Sequence, residues 1–346
     1  MEKRFLGRSG LQVSTLAFGL MTFGGTGRFE SVGTTEVDDA RRQIDIAIDA
    51  GVTLLDTADI YSMGRSEEIL GEVLGEKRNE VLVATKVFAA MGRGDHDRGL
   101  SRHHIIAACE DSLRRLKTDW IDLYQVHNFD GLVPIEETLR ALDDLVRAGK
   151  VRYIGCSNHF GWELTRAQAI SERLGLERYI SQQIQYSLMV RDAETEMLPA
   201  GVAQDVGALI WSPLAQGYLT GKFRSDNHSP TRLDASGRLK DYDDERGRAI
   251  LTLLDEIAAG HPGATPGQVA INWLLGRPGV SSVIIGARTE TQLQDNLGAA
   301  NWRISPDEIA ALDAASAKPL GYPAVQRLFF QQDRNPPIFT HVTPKE

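Results

Sequence analysis

Several features that mark other protein classes are scarce or missing in this sequence of 346 residues. Its two cysteines, Cys109 and Cys156, cannot form the disulfide framework of a small secreted domain, so we expect a reducing, cytoplasmic compartment. No apolar run is long enough to cross a bilayer, and the opening residues MEKRFLGRSG lack the apolar core of a signal peptide. The lack of these features argues against a secreted or membrane-embedded protein.

The sequence also has fewer basic than acidic residues. The chain has 38 lysines and arginines against 47 aspartates and glutamates, which gives a formal net charge of -9. A nucleic-acid surface needs a basic patch or stripe. The sequence therefore predicts no nucleic-acid partner.

Two ligand-binding motifs are missing as well. A doubly wound sheet that binds a dinucleotide would want GxGxxG after its first strand, and the GGTG of residues 24–27 lacks that spacing. A metal-dependent barrel hydrolase needs several ligands, but no His-x-His follows the first predicted strand, and His103 and His104 lie at a predicted helix start. We expect no metal site.

The sequence does contain a regular alternation of short apolar strands and amphipathic helices, in a chain that is 42% hydrophobic and 25% charged. Eight strands with intervening helices predict a single (β/α)8 TIM barrel over residues 1–346, with a β-hairpin around residues 7–10 and extra C-terminal helices. A long polar segment, 217–246, interrupts the pattern, and an irregular tail is predicted over 321–346. The predicted strands are 15–19, 52–55, 81–85, 121–126, 151–156, 179–185, 208–211 and 282–285.

Several helix boundaries can be predicted from capping residues. Thr35 is a candidate N-cap for the first helix, which Gly51 would end. Three later pairs have the spacing of a capping box, in which a Ser or Thr is followed three residues on by Glu or Gln. They are Thr265 with Gln268, Thr289 with Gln292, and Ser305 with Glu308.

Ionisable residues follow three neighbouring strands. Asp56 ends the stretch VTLLD, with Tyr61 five residues later, while Lys86 and His127 follow the next two strands. Each residue alone has a simpler explanation: a turn cap, a loop aromatic, a solvated strand end or a satisfied histidine. Because strand ends converge on one face of a barrel, the four residues together predict an acid–base site.

The chemistry of this set fits proton donation. A tyrosine with a pKa of about 10 is a weak acid at neutral pH, and a nearby lysine ammonium favours its phenolate. Asp56 would keep Lys86 charged, and His127 could hydrogen-bond a carbonyl oxygen. Such a group suits carbonyl reduction, in which an oxygen becomes negative and takes up a proton.

These residues and the strings LLDTADIY, VATK, LYQVHN, GCSN, IWSPLAQGYLTGKF and IIGARTETQLQDN resemble the aldo-keto reductases over nearly the whole chain. The resemblance implies NAD(P)H-dependent reduction of a small carbonyl substrate, with Tyr61 as the proton donor. Asp56 and Lys86 would tune the tyrosine, and His127 would orient the carbonyl.

The same resemblance implies the cofactor contacts. Ser157, Asn158 and Gln183 would hold the nicotinamide carboxamide, and Trp211 would stack on the ring, although core packing also explains Trp211. Arg288 would suit a 2′-phosphate through its planar fork, which favours NADPH, with NADH possible. The remaining cofactor positions are Ser212, Leu214 and Lys222 near the pyrophosphate, and Gly286, Gln292 and Asn296 with Arg288 at the adenosine phosphate.

The substrate pocket and one alternative function stay open at this point. Candidate residues for the pocket lip are aromatic or apolar, which would suit an apolar carbonyl, but they could equally cover the barrel. Cys156 is better explained as a packed small residue than as a nucleophile. The alternative function is a cofactor-binding regulatory subunit on the same barrel, like the potassium-channel subunits of the family. The candidate lip residues are Met21, Phe23, Phe88, Phe129, Phe329 and Phe330.

Overall fold

The computed structural model describes residues 1–224 and 239–331, together with residues 233 and 237. The chain opens with an antiparallel hairpin of β1 (Lys3–Phe5) and β2 (Gln12–Ser14). Its turn passes under the barrel so closely that a Cβ on Gly7, whose φ is +58°, would lie 2.5 Å from the Asp205 carbonyl oxygen. The predicted hairpin is confirmed, and it covers the N-terminal end of the barrel.

Eight parallel strands form a closed barrel, in which each strand pairs with its neighbours in sequence and the last pairs with the first. This is the predicted TIM barrel. The strands are β3 (Leu16–Gly19), β4 (Leu54–Asp56), β5 (Leu82–Val87), β6 (Ile121–Val126), β7 (Val151–Ser157), β8 (Tyr179–Gln185), β9 (Gly207–Trp211) and β10 (Val280–Gly286).

Helices cover the outside of the barrel and continue beyond its last strand. None of those in the described part of the chain is long and apolar enough to cross a membrane. The helices are α1 (Val37–Asp49), α2 (Arg65–Leu74), α3 (Arg102–Leu116), α4 (Ile135–Arg147), α5 (Gly161–Leu174), α6 (Met197–Ala203), α7 (Glu245–Gly260), α8 (Pro266–Leu275), α9 (Glu290–Gly298), α10 (Pro306–Ser316) and α11 (Ala324–Gln331).

The predicted N-caps are confirmed in three of four cases. Thr265, Thr289 and Ser305 each accept a hydrogen bond from the backbone N–H three residues later, and Ser305 forms a full capping box. Thr35 was the wrong choice, because α1 begins after Glu36 and the Thr35 N–H instead donates to the Thr22 carbonyl.

The prediction of an irregular tail needs correction, and part of the polar segment 217–246 can be described. The tail predicted over 321–346 is not wholly irregular, since α11 (Ala324–Gln331) occupies its first part. Residues 332–346 lie outside the described residues. The polar segment 217–246 contains short 3-10 turns at Lys222–Arg224 and Leu239–Asp241, while residues 225–232, 234–236 and 238 are not described.

The barrel interior changes from apolar to polar along its axis. Leu54, Ala84, Leu123 and Leu209 belong to an apolar cluster that includes residues of the hairpin. Side chains alternate along a strand, so the residue two positions later points the same way. Moving two residues toward the C-terminal end of these strands gives Asp56, Lys86, Gln125 and Trp211. The fold thus brings polar groups from different strands to one end.

Candidate active site

A cavity of about 1310 Å³ opens at the end of the barrel where the strands finish. Ordinary ligand pockets measure roughly 300–1,000 Å³, so this one has room for an extended ligand and a second small molecule. Lys86 is buried behind the cavity wall. Every other predicted site residue lines the cavity: Asp56, Tyr61, His127, Ser157, Asn158, Gln183, Trp211, Ser212, Leu214, Lys222, Gly286, Arg288, Gln292 and Asn296.

Lys86 is completely buried next to Tyr61. Its Nζ donates to Asp56 Oδ2 at 2.7 Å, to the Thr57 carbonyl oxygen at 2.8 Å and to Tyr61 Oη at 3.3 Å. An ammonium group has three N–H donors, so these bonds use all of them. The lysine therefore has a fixed orientation, with the tyrosine oxygen as one of its three partners.

The protonation state of Lys86 follows from two opposing effects. Burial alone would lower its pKa, because desolvation disfavours the charged ammonium. Attraction to the Asp56 carboxylate and to Tyr61 outweighs burial, and the pKa of Lys86 lies above its ordinary value of 10.5. A positive charge therefore lies beside Tyr61 Oη throughout the neutral range.

Asp56 connects Lys86 with a residue on the opposite side of the barrel. Its Oδ1 accepts from Gln183 Nε2 at 2.8 Å, with Gln125 Nε2 at 3.5 Å from the same oxygen. Both carboxylate oxygens thus have partners, as a buried charge requires. A predicted catalytic residue and a predicted cofactor residue share this hydrogen bond.

His127 lies on the other side of Tyr61. The two rings meet edge to face, with centroids 5.9 Å apart and planes inclined at 75°. The backbone N–H of His127 donates to the Val87 carbonyl, and its carbonyl accepts from Asn158 Nδ2 at 3.0 Å. Both ring systems face the same part of the cavity.

The turn after Tyr61 has an unusual backbone conformation. Ser62 and Met63 have φ values of +50° and +56°, in the left-handed region that side chains other than glycine seldom adopt. Ser62 Oγ donates to the Phe23 carbonyl at 2.9 Å, and Thr26 Oγ1 donates to the Ser62 carbonyl at 2.5 Å. These bonds join the turn that carries Tyr61 to the loop between β3 and α1.

The predicted nicotinamide residues form one hydrogen-bonded group at the ends of β7, β8 and β9. Ser157 Oγ and the backbone N–H of Asn158 both donate to the Gln183 carbonyl, at 2.9 and 3.1 Å. Trp211 Nε1 donates to Asn158 Oδ1 at 3.2 Å. The four residues come from the ends of three strands and lie together.

The predicted pyrophosphate residues follow β9. Ser212 Oγ accepts from the Gln216 N–H at 3.2 Å, and Leu214 lies in the cavity wall. Lys222 reaches back over Gly217, where an added Cβ would lie 2.6 Å from its Nζ. This stretch therefore presents a cation to the cavity.

The predicted adenosine-phosphate residues surround the start of α9. Asn296 Nδ2 donates to the Gly286 carbonyl at 3.1 Å, and Gln292 Oε1 accepts from the Arg288 N–H at 2.9 Å. The Arg288 side chain donates to the Ser31 carbonyl at 2.9 Å. A helix N-terminus with an arginine in front of it favours an anion.

A model of the aldo/keto reductase family matches residues 15–317 of the chain. The chain belongs to the aldo-keto reductase family. Members of this family are oxidoreductases that generally use NAD(P)H and act on small carbonyl substrates.

Relatives with different names align over most of the chain. "Uncharacterized oxidoreductase YrpG" of Bacillus subtilis is 38% identical over 324 residues, 90% of this chain and 95% of that protein. "Probable voltage-gated potassium channel subunit beta" of Arabidopsis thaliana is 37% identical over 310 residues, 86% and 91% of the two chains. "Versiconal hemiacetal acetate reductase" of Aspergillus parasiticus is 34% identical over 335 residues, 90% and 96% of the two chains.

The predicted pocket lip of this aldo-keto reductase is only partly correct. Met21 and Phe88 line the cavity. Phe23 is fully buried and packs on Phe18, because the loop turns its ring into the barrel wall. Phe129 packs against His159 and Trp162, away from the cavity. Phe329 and Phe330 are exposed on α11 and are absent from the described cavity lining.

The sequence-based prediction omitted three residues near Tyr61, and Gln125 beside Asp56. Phe29 places its ring 5.7 Å from that of Tyr61, edge to face, and Val32 and Met63 also line the cavity. They lie in a glycine-rich loop and a left-handed turn, which have no periodicity from which the side chains that face the cavity could be predicted. Gln125 could have been found, since it lies two positions before His127 on the same side of β6.

The described part of this aldo-keto reductase contains no group of three or more His, Cys, Asp or Glu side chains that could hold a metal ion. Both cysteines are buried free thiols, and burial raises the pKa of Cys156 and brings the pKa of Cys109 to about 12. Un-ionised thiols are poor nucleophiles, so the interpretation of Cys156 as a packed residue is confirmed.

Proposed function

We propose that this aldo-keto reductase uses NADPH to reduce aldehydes and ketones to alcohols, with Tyr61 as the proton donor. The observation that carries the proposal is the contact of Lys86 Nζ with Tyr61 Oη, 3.3 Å long, in the wall of the cavity. A structural role alone does not require a buried lysine to use one of its three donors on a tyrosine that faces open space.

The residues around the cavity fit the dinucleotide. Ser157, Asn158 and Gln183 would hold the carboxamide, and Trp211 would cover the ring. Reduced nicotinamide, when bound, supplies a hydride to the carbonyl carbon. Ser212, Leu214 and Lys222 would contact the pyrophosphate, and Gly286, Arg288, Gln292 and Asn296 the adenosine phosphate.

Tyr61 would give its hydroxyl proton to the carbonyl oxygen as that oxygen gains negative charge. The tyrosinate left behind is stabilised by the Lys86 ammonium, which stays charged because of Asp56. His127, whose ring faces the same space, would hydrogen-bond the carbonyl oxygen and direct it toward Tyr61. General acids of this kind contribute about 10²- to 10⁴-fold to the rate.

Arg288 supports the preference for NADPH. No ion pair involves its guanidinium within the described residues, and the carboxylate of Glu290, two positions later, pairs with Arg42 at 2.6 Å. A cation without a carboxylate partner suits a 2′-phosphate. Arg288→Ala should weaken NADPH binding more than NADH binding, and equal losses would remove the reason for this preference.

The second candidate function is a cofactor-binding regulatory subunit with little turnover, as the name of the Arabidopsis relative suggests. Tyr61, Asp56, Lys86 and His127 are all present, which favours the enzyme. A panel of carbonyl compounds, including 4-nitrobenzaldehyde, should be assayed with both cofactors. The enzyme reading predicts NADPH oxidation with at least one compound. Tight NADPH binding without turnover of any compound would support the regulatory subunit.

We further propose a cytoplasmic location, which the two free thiols support.

A further inference from the structure

The loop between β3 and α1, residues 20–36, borders two parts of the cavity. Phe29 packs against Tyr61, and Val32 also lines the cavity. Ser31, which lies between them in sequence, accepts a hydrogen bond from Arg288 at the proposed phosphate site. One short segment therefore touches the proposed carbonyl pocket and the proposed phosphate site.

Phe29 and Ser31 lie in the same tight turn. The N–H groups of Val32 and Gly33 both donate to the Phe29 carbonyl, at 2.9 and 2.7 Å. A turn closed by two hydrogen bonds moves largely as a unit, so a change in the position of Ser31 also shifts Phe29. The Phe29 ring in turn contacts the Tyr61 ring.

Other hydrogen bonds hold the rest of the loop to the end of β10 and to the turn that carries Tyr61. Thr22 Oγ1 donates to the Ala287 carbonyl at 2.9 Å, and Ser62 and Thr26 form the two bonds described above. The turn 29–33 lies beyond these attachments. Its bond to Arg288 connects it to the residue just before α9.

Arg288 can keep this bond and still bind an anion. A guanidinium has five N–H donors in a planar fork, and the described structure uses one of them, on Ser31. A phosphate that accepts from the others would fix the side chain, since each added bond removes freedom from a partly exposed arginine. The Ser31 carbonyl would then be held by an immobilised donor.

We propose that Arg288 is a positioning residue for the carbonyl pocket: a 2′-phosphate bound to it fixes the turn 29–33 and holds Phe29 against Tyr61. This inference rests on the proposed function, and it adds that NADPH, but not NADH, improves the binding of an aromatic aldehyde. Because coupling between two sites is reciprocal, the aldehyde also improves binding of the phosphorylated cofactor.

The first experiment needs no turnover. Hydrogen exchange of the peptide covering residues 24–34 is measured with saturating adenosine 2′,5′-bisphosphate and with saturating 5′-AMP. We expect the bisphosphate to slow exchange by about fivefold relative to 5′-AMP, and the difference to vanish in Arg288→Met. Equal exchange with both saturating nucleotides in the wild-type protein would overturn the inference.

The second experiment measures the KM for 4-nitrobenzaldehyde at saturating NADPH and at saturating NADH. We expect the value with NADPH to be lower by about fivefold, and the two values to become equal in Arg288→Met. Phe29→Leu should reduce the difference without reducing NADPH affinity. Propanal, too small to need the Phe29 ring, is the matched control and should give equal values in the wild type.

The two failures can be told apart. If aldehydes are reduced but neither the KM difference nor the exchange difference is found, Arg288 has no positioning role and the reductase function stands. If no carbonyl compound is reduced, the proposed function fails. The hydrogen-exchange experiment then still shows whether a phosphate bound to Arg288 fixes the turn 29–33.

Discussion

Lys86 Nζ donates to Tyr61 Oη at 3.3 Å from a position with no solvent exposure, and its other two donors are used by Asp56 and by the Thr57 carbonyl. The lysine thus cannot turn away from the tyrosine without losing a bond to a buried carboxylate. This arrangement places a fixed positive charge beside the tyrosine that we propose as the proton donor.

Replacing Lys86 by methionine should damage both activity and stability. The turnover number should fall by about 10²-fold or more, because the tyrosinate loses its counter-charge. The free energy of unfolding should fall by about 3–5 kcal/mol, because Asp56 is left buried without a cation. Steady-state kinetics and urea unfolding measure the two effects.

The double variant Asp56→Asn/Lys86→Met is the control for this prediction. It removes both charges, so part of the stability should return while the activity stays low. A single Lys86→Met variant with wild-type turnover would show that the ammonium does not assist Tyr61.

Ser62 should matter to catalysis through the position of Tyr61. Ser62→Ala removes the buried bond to the Phe23 carbonyl and should cost about 1–3 kcal/mol of stability, with a lower turnover number for 4-nitrobenzaldehyde. Ser62→Gly also removes the hydroxyl, but it relieves about 1–2 kcal/mol of left-handed strain. Both variants should therefore lose turnover, with the glycine variant the more stable.

Lys117 provides a matched control for strain, since it has φ of +52° at the end of α3, away from the cavity. Lys117→Gly should raise stability and leave turnover unchanged. If Ser62→Gly has full turnover, the hydroxyl does not position Tyr61.

The barrel and the clustering of the four proposed catalytic residues could be predicted from the sequence because each depends on strand periodicity. Asp56, Lys86 and His127 follow apolar strands, and the closed barrel fixes where strand ends meet. The direction of loop side chains has no such rule. Phe23 packs into the barrel wall, whereas Phe29 contacts Tyr61. Gly24 and Gly25 turn the loop through positive φ values, and the sequence does not indicate which way the side chains around them then point.

Two local predictions failed for a related reason. Thr35 has the chemistry of an N-cap, but its backbone is used in pairing with Thr22, so α1 begins later. Residues 321–331 contain proline and aromatics, which favoured irregular structure, yet Ala324–Gln331 forms a helix after Pro323. In both cases the local residues allow two conformations, and contacts with the surrounding chain determine which one forms.

His159 should make the protein sensitive to acid. Burial lowers the pKa of His159 to about 4 from the ordinary 6.5, even though its Nδ1 lies 2.9 Å from the Ser157 carbonyl. The unfolded chain therefore binds more protons than the folded chain between pH 6.5 and about 4. Stability is unaffected above this window, falls as pH decreases through it, and has lost roughly 3 kcal/mol at its lower end.

His159→Gln removes this titration and serves as the comparison. Urea unfolding at several pH values should give a steeper acid loss in the wild type than in the variant. Parallel curves for the two proteins would mean that His159 is not kept neutral by burial.

The proton-donor role of Tyr61 is tested most directly by the rate of NADPH oxidation with 4-nitrobenzaldehyde in the wild type and in Tyr61→Phe. Phenylalanine keeps the ring contacts with Phe29 and His127 and removes only the hydroxyl. NADPH binding, measured by fluorescence titration, should be the same in both proteins. We expect a turnover number lower by about 10²- to 10⁴-fold in the variant. A variant that binds NADPH and reduces the aldehyde at the wild-type rate would contradict it.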